Sequence, residues 1–137
     1  MIPSATMREF AMAKTSALLD DLVSAMQLAA QEPDEEAVHK LRVSIRRFQQ
    51  ALRLFAQYFK SGGIEKIKGK LREIMGIAGE LRNLDIATAL TIDAGGNAIL
   101  LSDRRADCDR QLASVLRPFV NPMLAHKWRR QLGLEGG

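Results

Sequence analysis

This 137-residue chain has one cysteine, four prolines, two histidines and few aromatic residues, 5% of the total. The lone Cys108 excludes an internal disulfide and fits a reducing compartment such as the cytoplasm. Scarce proline, together with little Val and Thr, leaves local preference on the side of helix over strand. No uncharged apolar run approaches the ~18–20 residues needed to cross a bilayer. The opening MIPSATMREF has no basic segment followed by an apolar one, so neither a membrane span nor a signal peptide is expected. No glycine-rich loop follows a strand, and no Ser or Cys pairs with a His and an orienting acid. Cys108 itself falls on an apolar stripe, where a thiol is ordinarily inert. The chain therefore reads as non-catalytic, with no cofactor.

What is present is hydrophobic residue in a helical pattern, 47% of the chain, and charge in unequal blocks. The net charge is +4. Residues 1–38 hold two basic and seven acidic groups, residues 39–82 eleven and three, and residues 83–137 seven and six. A basic field confined to the middle of a chain points to a polyanionic partner. The length suits one domain, assigned to residues 1–133, with residues 134–137 as a disordered tail.

Periodicity divides the chain into helices. A first helix is expected over residues 5–31, with Met7, Phe10, Ala17 (with Leu18), Leu22, Ala25 and Leu28 (with Ala29) inward. Glu32-Pro33-Asp34-Glu35-Glu36 reads as a turn and helix start, its carboxylates meeting the positive end of the dipole. A second helix runs to about Lys60 and is expected to stop at Ser61-Gly62-Gly63. The third spans residues 64 to about 94, with Ile67, Leu71, Ile74, Ala78 and Leu81 inward and Asp85 continuing that apolar stripe. After a turn at Gly95-Gly96-Asn97 comes a fourth helix, residues 98–116, with Leu101, Cys108, Leu112 and Val115 inward. Pro118 and Pro122 break it, leaving a short helix to Leu132. Long helices joined by short turns predict an all-α, up-and-down four-helix bundle whose fourth helix is broken at those prolines.

The second helix carries two stripes. Val38, Leu41, Ile45, Phe48, Leu52, Phe55 and Phe59 draw one apolar line. His39, Arg42, Arg46, Gln49 or Gln50, Arg53 and Lys60 repeat with the same steps one residue later, which at 100° per residue lies beside the apolar line rather than opposite it. Three readings of that row stay open on spacing alone. It is a solvated face, or it pairs with the acidic first helix, or it forms a polyanion groove with Lys68, Arg72 and Arg82 of the third helix. Guanidinium forks suit phosphate oxygens, and a protonated histidine adds charge near neutral pH. Glu36-x-x-His39 also matches one element of a carboxylate-bridged di-metal bundle, but the second copy and two further inward glutamates are missing, so no metal site is expected. The basic region lacks interleaved aromatics for stacking bases, so nucleic acid is the alternative partner, bound through phosphates alone.

Two segments resemble the CHAD domain (conserved histidine α-helical domain) family. One is Val38-His39-Lys40-Leu41-Arg42-Val43-Ser44-Ile45-Arg46-Arg47-Phe48 with Ala51-Leu52-Arg53-Leu54-Phe55. The other is Leu71-Arg72 leading to Gly79-Glu80-Leu81-Arg82-Asn83-Leu84-Asp85-Ile86. The resemblance implies a helical domain that binds inorganic polyphosphate without catalysis and that associates with polyphosphate granules. It carries the binding role onto His39, Arg42, Arg46, Arg47, Arg53, Arg72 and Arg82, to which spacing adds Lys68. Arg47 stands about 80° round the helix from His39 and ranks lower. Gln49 replaces a residue often basic in the family, and Asn83 a common aspartate. Family members usually pair two helical halves around a basic channel. This chain has room for one, so a homodimer is expected to supply the other. Asp85, at a core-facing position, is assigned to orient Arg42, Arg46 or His39. A buried carboxylate needs such a partner.

Overall fold

A computed structural model describes the backbone of residues 4–59, 61–94 and 98–134 and the side chains of 7–59, 62–88 and 104–134. Among the described residues the chain is all-helical and has no strand. Helix α1 spans Ser4–Gln31, α2 Glu35–Leu54, α3 Ser61–Ala94, α4 Ala98–Leu116 and α5 Pro122–Leu132, with 3-10 turns at Ala56–Tyr58 and Arg117–Val120. α1 packs on α2, α2 on α3 and α3 on α4, and α4 returns to α1, so the four long helices close a ring around one core. α5 is a fifth helix in its own right. It leans on α3 and on the preceding 3-10 turn, which itself reaches α1.

The apolar line of α2 is the spine of that core. Val38, Leu41, Ile45, Phe48 and Leu52 are buried, facing Ile67, Leu71, Ile74, Ala78 and Leu81 of α3. Each large side chain removed from water in this way contributes about 1.5–3 kcal/mol. Asp34 caps α2, its Oδ1 accepting from the Ala37 N–H at 2.8 Å, while Glu35 and Glu36 fill the first turn. Pro33 thus precedes the cap rather than opening the helix.

Two expectations fail for local reasons. α2 ends at Phe55, not near Lys60, and Phe59 adopts extended backbone with its ring in the core. Gly62 and Gly63 do not close it in a left-handed conformation; they lie inside α3, and Gly133 is the one described residue with positive φ. Gly63 serves close approach instead. A Cβ there would lie 2.5 Å from the Gln131 carbonyl oxygen of α5. Lys60 itself lies outside the described residues.

The second failure is the upper face of α1. Met7, Phe10, Ala17 and Leu28 are exposed, and Ala11, Thr15, Leu19 and Met26 face inward, while Leu22, Ala25 and Ala29 are buried as expected. Small residues let the neighbouring helices approach, and the larger Phe10 packs its ring edge-on to Phe55, centroids 6.2 Å apart.

A 3-10 turn separates α4 from α5. Leu116 ends α4, Pro118 sits in the 3-10 turn, and Asn121 caps α5 with Pro122 in its first turn. Phe119 and Trp128 meet edge-to-face, centroids 4.9 Å apart, and both are buried. Gly133 at φ 73° closes α5, with Leu134 N–H bonding the Arg129 carbonyl at 2.8 Å. Leu134, expected to begin a disordered tail, therefore packs on the core as part of that cap. Residues 135–137, Leu101 and the turn at residues 95–97 lie outside what is described.

Candidate functional site

The contact between α2 and α3 brings together most of the residues expected to bind. One cavity of about 260 Å³ is lined by Glu35, Val38, His39 and Arg42 of α2 and by Arg82 and Asp85 of α3. Further along the same pair of helices, a hollow of about 380 Å³ is lined by Gln49 and Arg53 of α2 and by Glu65, Lys68 and Arg72 of α3. Arg46 lies exposed on the stretch of α2 between these two sets of residues. Gly79 leaves open space on α3, since a Cβ there would meet nothing within 4 Å.

Arg42 differs from the rest of the row. Its side chain is only 9% exposed and its Nε has no hydrogen-bond partner. Burial, followed by the positive charges of Arg46 and Arg82, holds its guanidinium below the usual value. Three guanidinium groups that repel one another across a helix contact favour an anion between them. Among the described residues, Arg42, Arg46, Arg53, Lys68, Arg72 and Arg82 form no ion pair. The Arg72 Nε–H donates only to the Lys68 carbonyl, at 3.4 Å. The second of the three readings, pairing of this row with acidic α1 residues, is therefore not observed among the described residues. Glu35 and Glu65 interrupt the positive lining, one at each hollow.

Arg47 lies elsewhere. It lines a separate cleft of about 360 Å³ between α1 and α2, with Asp21, Ser24, His39, Lys40 and Ser44. His39 borders both this cleft and the α2/α3 cavity. The 80° offset of Arg47 along α2 explains the division. Glu36, the acid of the Glu-x-x-His pattern, makes an exposed pair with Lys40 at 3.3 Å.

Asp85 is placed beside the basic cavity as expected, but its ionic partner is a different residue. Arg105 of α4 holds it, Nε to Oδ1 2.9 Å. Arg105 also reaches Asp109 Oδ1 at 3.0 Å and the Pro33 carbonyl at 3.2 Å, tying α3, α4 and the α1–α2 link together. This clamp was missed in the sequence. Arg105 and Asp109 stand at the i,i+4 spacing of a helical pair, but nothing in spacing tells that α3 supplies a second carboxylate. Burial raises the Asp85 carboxyl above the ordinary range; Arg105 opposes that, and Glu35 and Asp109 add to it. Its Oδ2 is buried without a partner. The assignment of Asp85 to orient Arg42, Arg46 or His39 is thus replaced, for Oδ1, by Arg105.

Cys108 is buried, and burial with neighbouring Glu80 pushes its thiol up. Among the described residues, no helix is long and apolar enough to cross a membrane.

The CHAD domain family model matches residues 15–117. That span takes in α1 from Thr15 onward, α2, α3, α4 and the first residue of the 3-10 turn that follows. No curated protein matches the chain. A solved structure described as the periplasmic sensor domain of a sensor histidine kinase aligns over 90% of this chain and 86% of its own, at 18% identity. Its TM-score of 0.35 is too low to carry an argument.

Proposed function

The chain belongs to the CHAD domain family, and from that premise we propose that it binds inorganic polyphosphate, without catalysis, in the groove between α2 and α3. The observation that carries this reading is the row of cations that form no ion pair among the described residues: Arg42, Arg46 and Arg53 on α2 beside Lys68, Arg72 and Arg82 on α3. A linear anion with one charge per phosphate suits such a row. His39 adds charge when protonated, and Arg47, in the neighbouring cleft, meets a chain that bends around α2. The scaffold is read as an up-and-down bundle, in which the short link after α1 sets α2 antiparallel to it.

The groove is open on one side, and a second copy of the chain supplies the opposite wall. On this reading the protein resides in the cytoplasm at polyphosphate granules. Binding is tested by measuring affinity for long-chain polyphosphate, duplex DNA and single-stranded DNA at several salt concentrations. Polyphosphate is expected to bind most tightly at every salt. Equal affinity for all three would make the protein a generic polyanion binder. Binding to none would return the row to a structural role in a protein-interaction bundle. A monomer mass by light scattering at micromolar concentration, with and without polyphosphate, would remove the second copy.

A further inference from the structure

An anion site has no obvious use for a carboxylate, yet the α2/α3 cavity contains one that the structure leaves half satisfied. Asp85 Oδ1 is held by Arg105, while Oδ2 is buried with no hydrogen-bond partner. Arg42, lining the same cavity, has a buried Nε–H with none. Two residues of the cavity lining thus carry, one an orphaned acceptor and the other an orphaned donor, both shut off from solvent in the unliganded chain. A buried polar atom without a partner is destabilising, so a ligand that satisfies both gains on both.

Phosphate groups within a polyphosphate chain present acceptor oxygens only. They suit Arg42, Arg82 and a protonated His39 but oppose Asp85. The terminal group is different, because its last ionisation falls near neutral pH, at about 6 for a phosphate monoester. While that proton remains, the group carries one P–OH donor beside its acceptor oxygens.

Resting on the polyphosphate reading, we infer that this cavity is an end-group site: it takes a terminal or free phosphate that still carries a proton, donating to Asp85 Oδ2 and accepting from Arg42 and Arg82. The remaining charges acting on the cavity's residues fit this division. Glu35 adds negative charge on the carboxylate's side. Arg46 adds positive charge near Arg42. Arg105, backed by Asp109 and the Pro33 carbonyl, fixes the Asp85 carboxylate while Oδ2 takes the ligand's proton. One hydrogen is shared between a phosphate oxygen and Oδ2, and no bond to phosphorus forms or breaks.

The test compares tripolyphosphate, which has two ends, with cyclic trimetaphosphate, which has none, and orthophosphate with sulfate. Titration calorimetry on the full chain is run from pH 5.5 to 8.5. Tripolyphosphate is expected to bind at least tenfold more tightly than trimetaphosphate at pH 6, and orthophosphate more tightly than sulfate. Above the terminal ionisation, binding takes up a proton, so affinity falls by up to tenfold per pH unit. Asp85→Asn, which offers an amide donor in place of the acceptor, is expected to narrow both preferences and flatten the pH profile. Equal binding of the linear and cyclic forms by the unmodified protein would overturn the end-group site while leaving polyphosphate binding intact. So would unchanged preferences in a folded Asp85→Asn variant. Failure of long-chain polyphosphate to bind at all would instead remove the reading beneath it.

Discussion

Arginines on two sides of this molecule meet different fates. Around α4 and α5, Arg104 reaches Glu80, Arg105 reaches Asp85 and Asp109, Arg110 reaches Asp107, and Arg129 reaches Asp20 and the Ser16 hydroxyl. Along the α2/α3 groove, Arg42, Arg46, Arg53, Arg72 and Arg82 form no ion pair among the described residues. The acids needed to neutralise them exist elsewhere, since residues 1–38 alone hold seven. The fold uses some of them at other positions. A set of like charges held together without partners destabilises the protein, and function is the usual reason such a set persists. The paired side ties neighbouring helices together; the unpaired side is where the proposed ligand would bind.

Breaking the paired side should have the largest effect. Arg105→Met leaves Asp85 and Asp109 without their shared cation and frees the Pro33 carbonyl. A loss of about 3 kcal/mol is expected, the low end for breaking a buried pair because Asp109 is partly exposed. Urea unfolding checks it, and a variant as stable as the parent would show that the clamp is incidental.

The same change on the unpaired side should act in the opposite direction. Arg42→Met keeps the aliphatic packing and removes a buried charge repelled by Arg46 and Arg82. Stability should rise by about 1 kcal/mol, while polyphosphate affinity falls at least tenfold. If stability and affinity fell together, Arg42 would belong with the paired arginines.

A smaller effect concerns pH. Asp85 and Asp109 both have carboxyls raised by burial despite Arg105. Between the ordinary carboxylate range and those raised values, the folded chain binds more protons than the unfolded one. Their contribution to stability is therefore greatest at low pH and is lost as pH rises through that window. Comparing unfolding of the parent with Asp85→Asn/Asp109→Asn from pH 4 to 7 should show the parent's stability falling more steeply with rising pH. Parallel profiles would count against it.

Smallest is Thr15, whose hydroxyl is buried in α1 with no hydrogen-bond partner. Thr15→Val keeps the shape and should stabilise by about 1 kcal/mol or less without touching the groove. Thermal unfolding is sufficient to read it, and a destabilised variant would mean the hydroxyl has found a partner.

The α2 residues were the most legible in the sequence. Their apolar and basic lines run for five turns in phase, and Val38 through Leu52 fall where the period puts them. The neighbouring Lys68, Arg72 and Arg82 were readable because α3 keeps the same period and follows α2 directly. α1 was misread at its upper end because a sequence pattern gives weight to large side chains such as Met7 and Phe10. Close packing there is made by Ala11 and Thr15 instead. The Ser61-Gly62-Gly63 stop was misread because glycine serves two purposes, left-handed turns and close approach. Only the position of Gln131 shows that Gly63 serves the second. Arg105 was missed because an ion pair between helices twenty residues apart leaves no periodic trace.

One feature beyond the matched family span bears on how the protein can be divided. α5 starts five residues after residue 117, yet Trp128 and Leu132 are buried in the same core as α2 and α3, and Trp128 meets Phe119 edge-to-face. A fragment trimmed to the matched residues would lose Phe119, Trp128 and Leu132 together and open its interior to water. The matched span is thus shorter than the set of residues that builds this core.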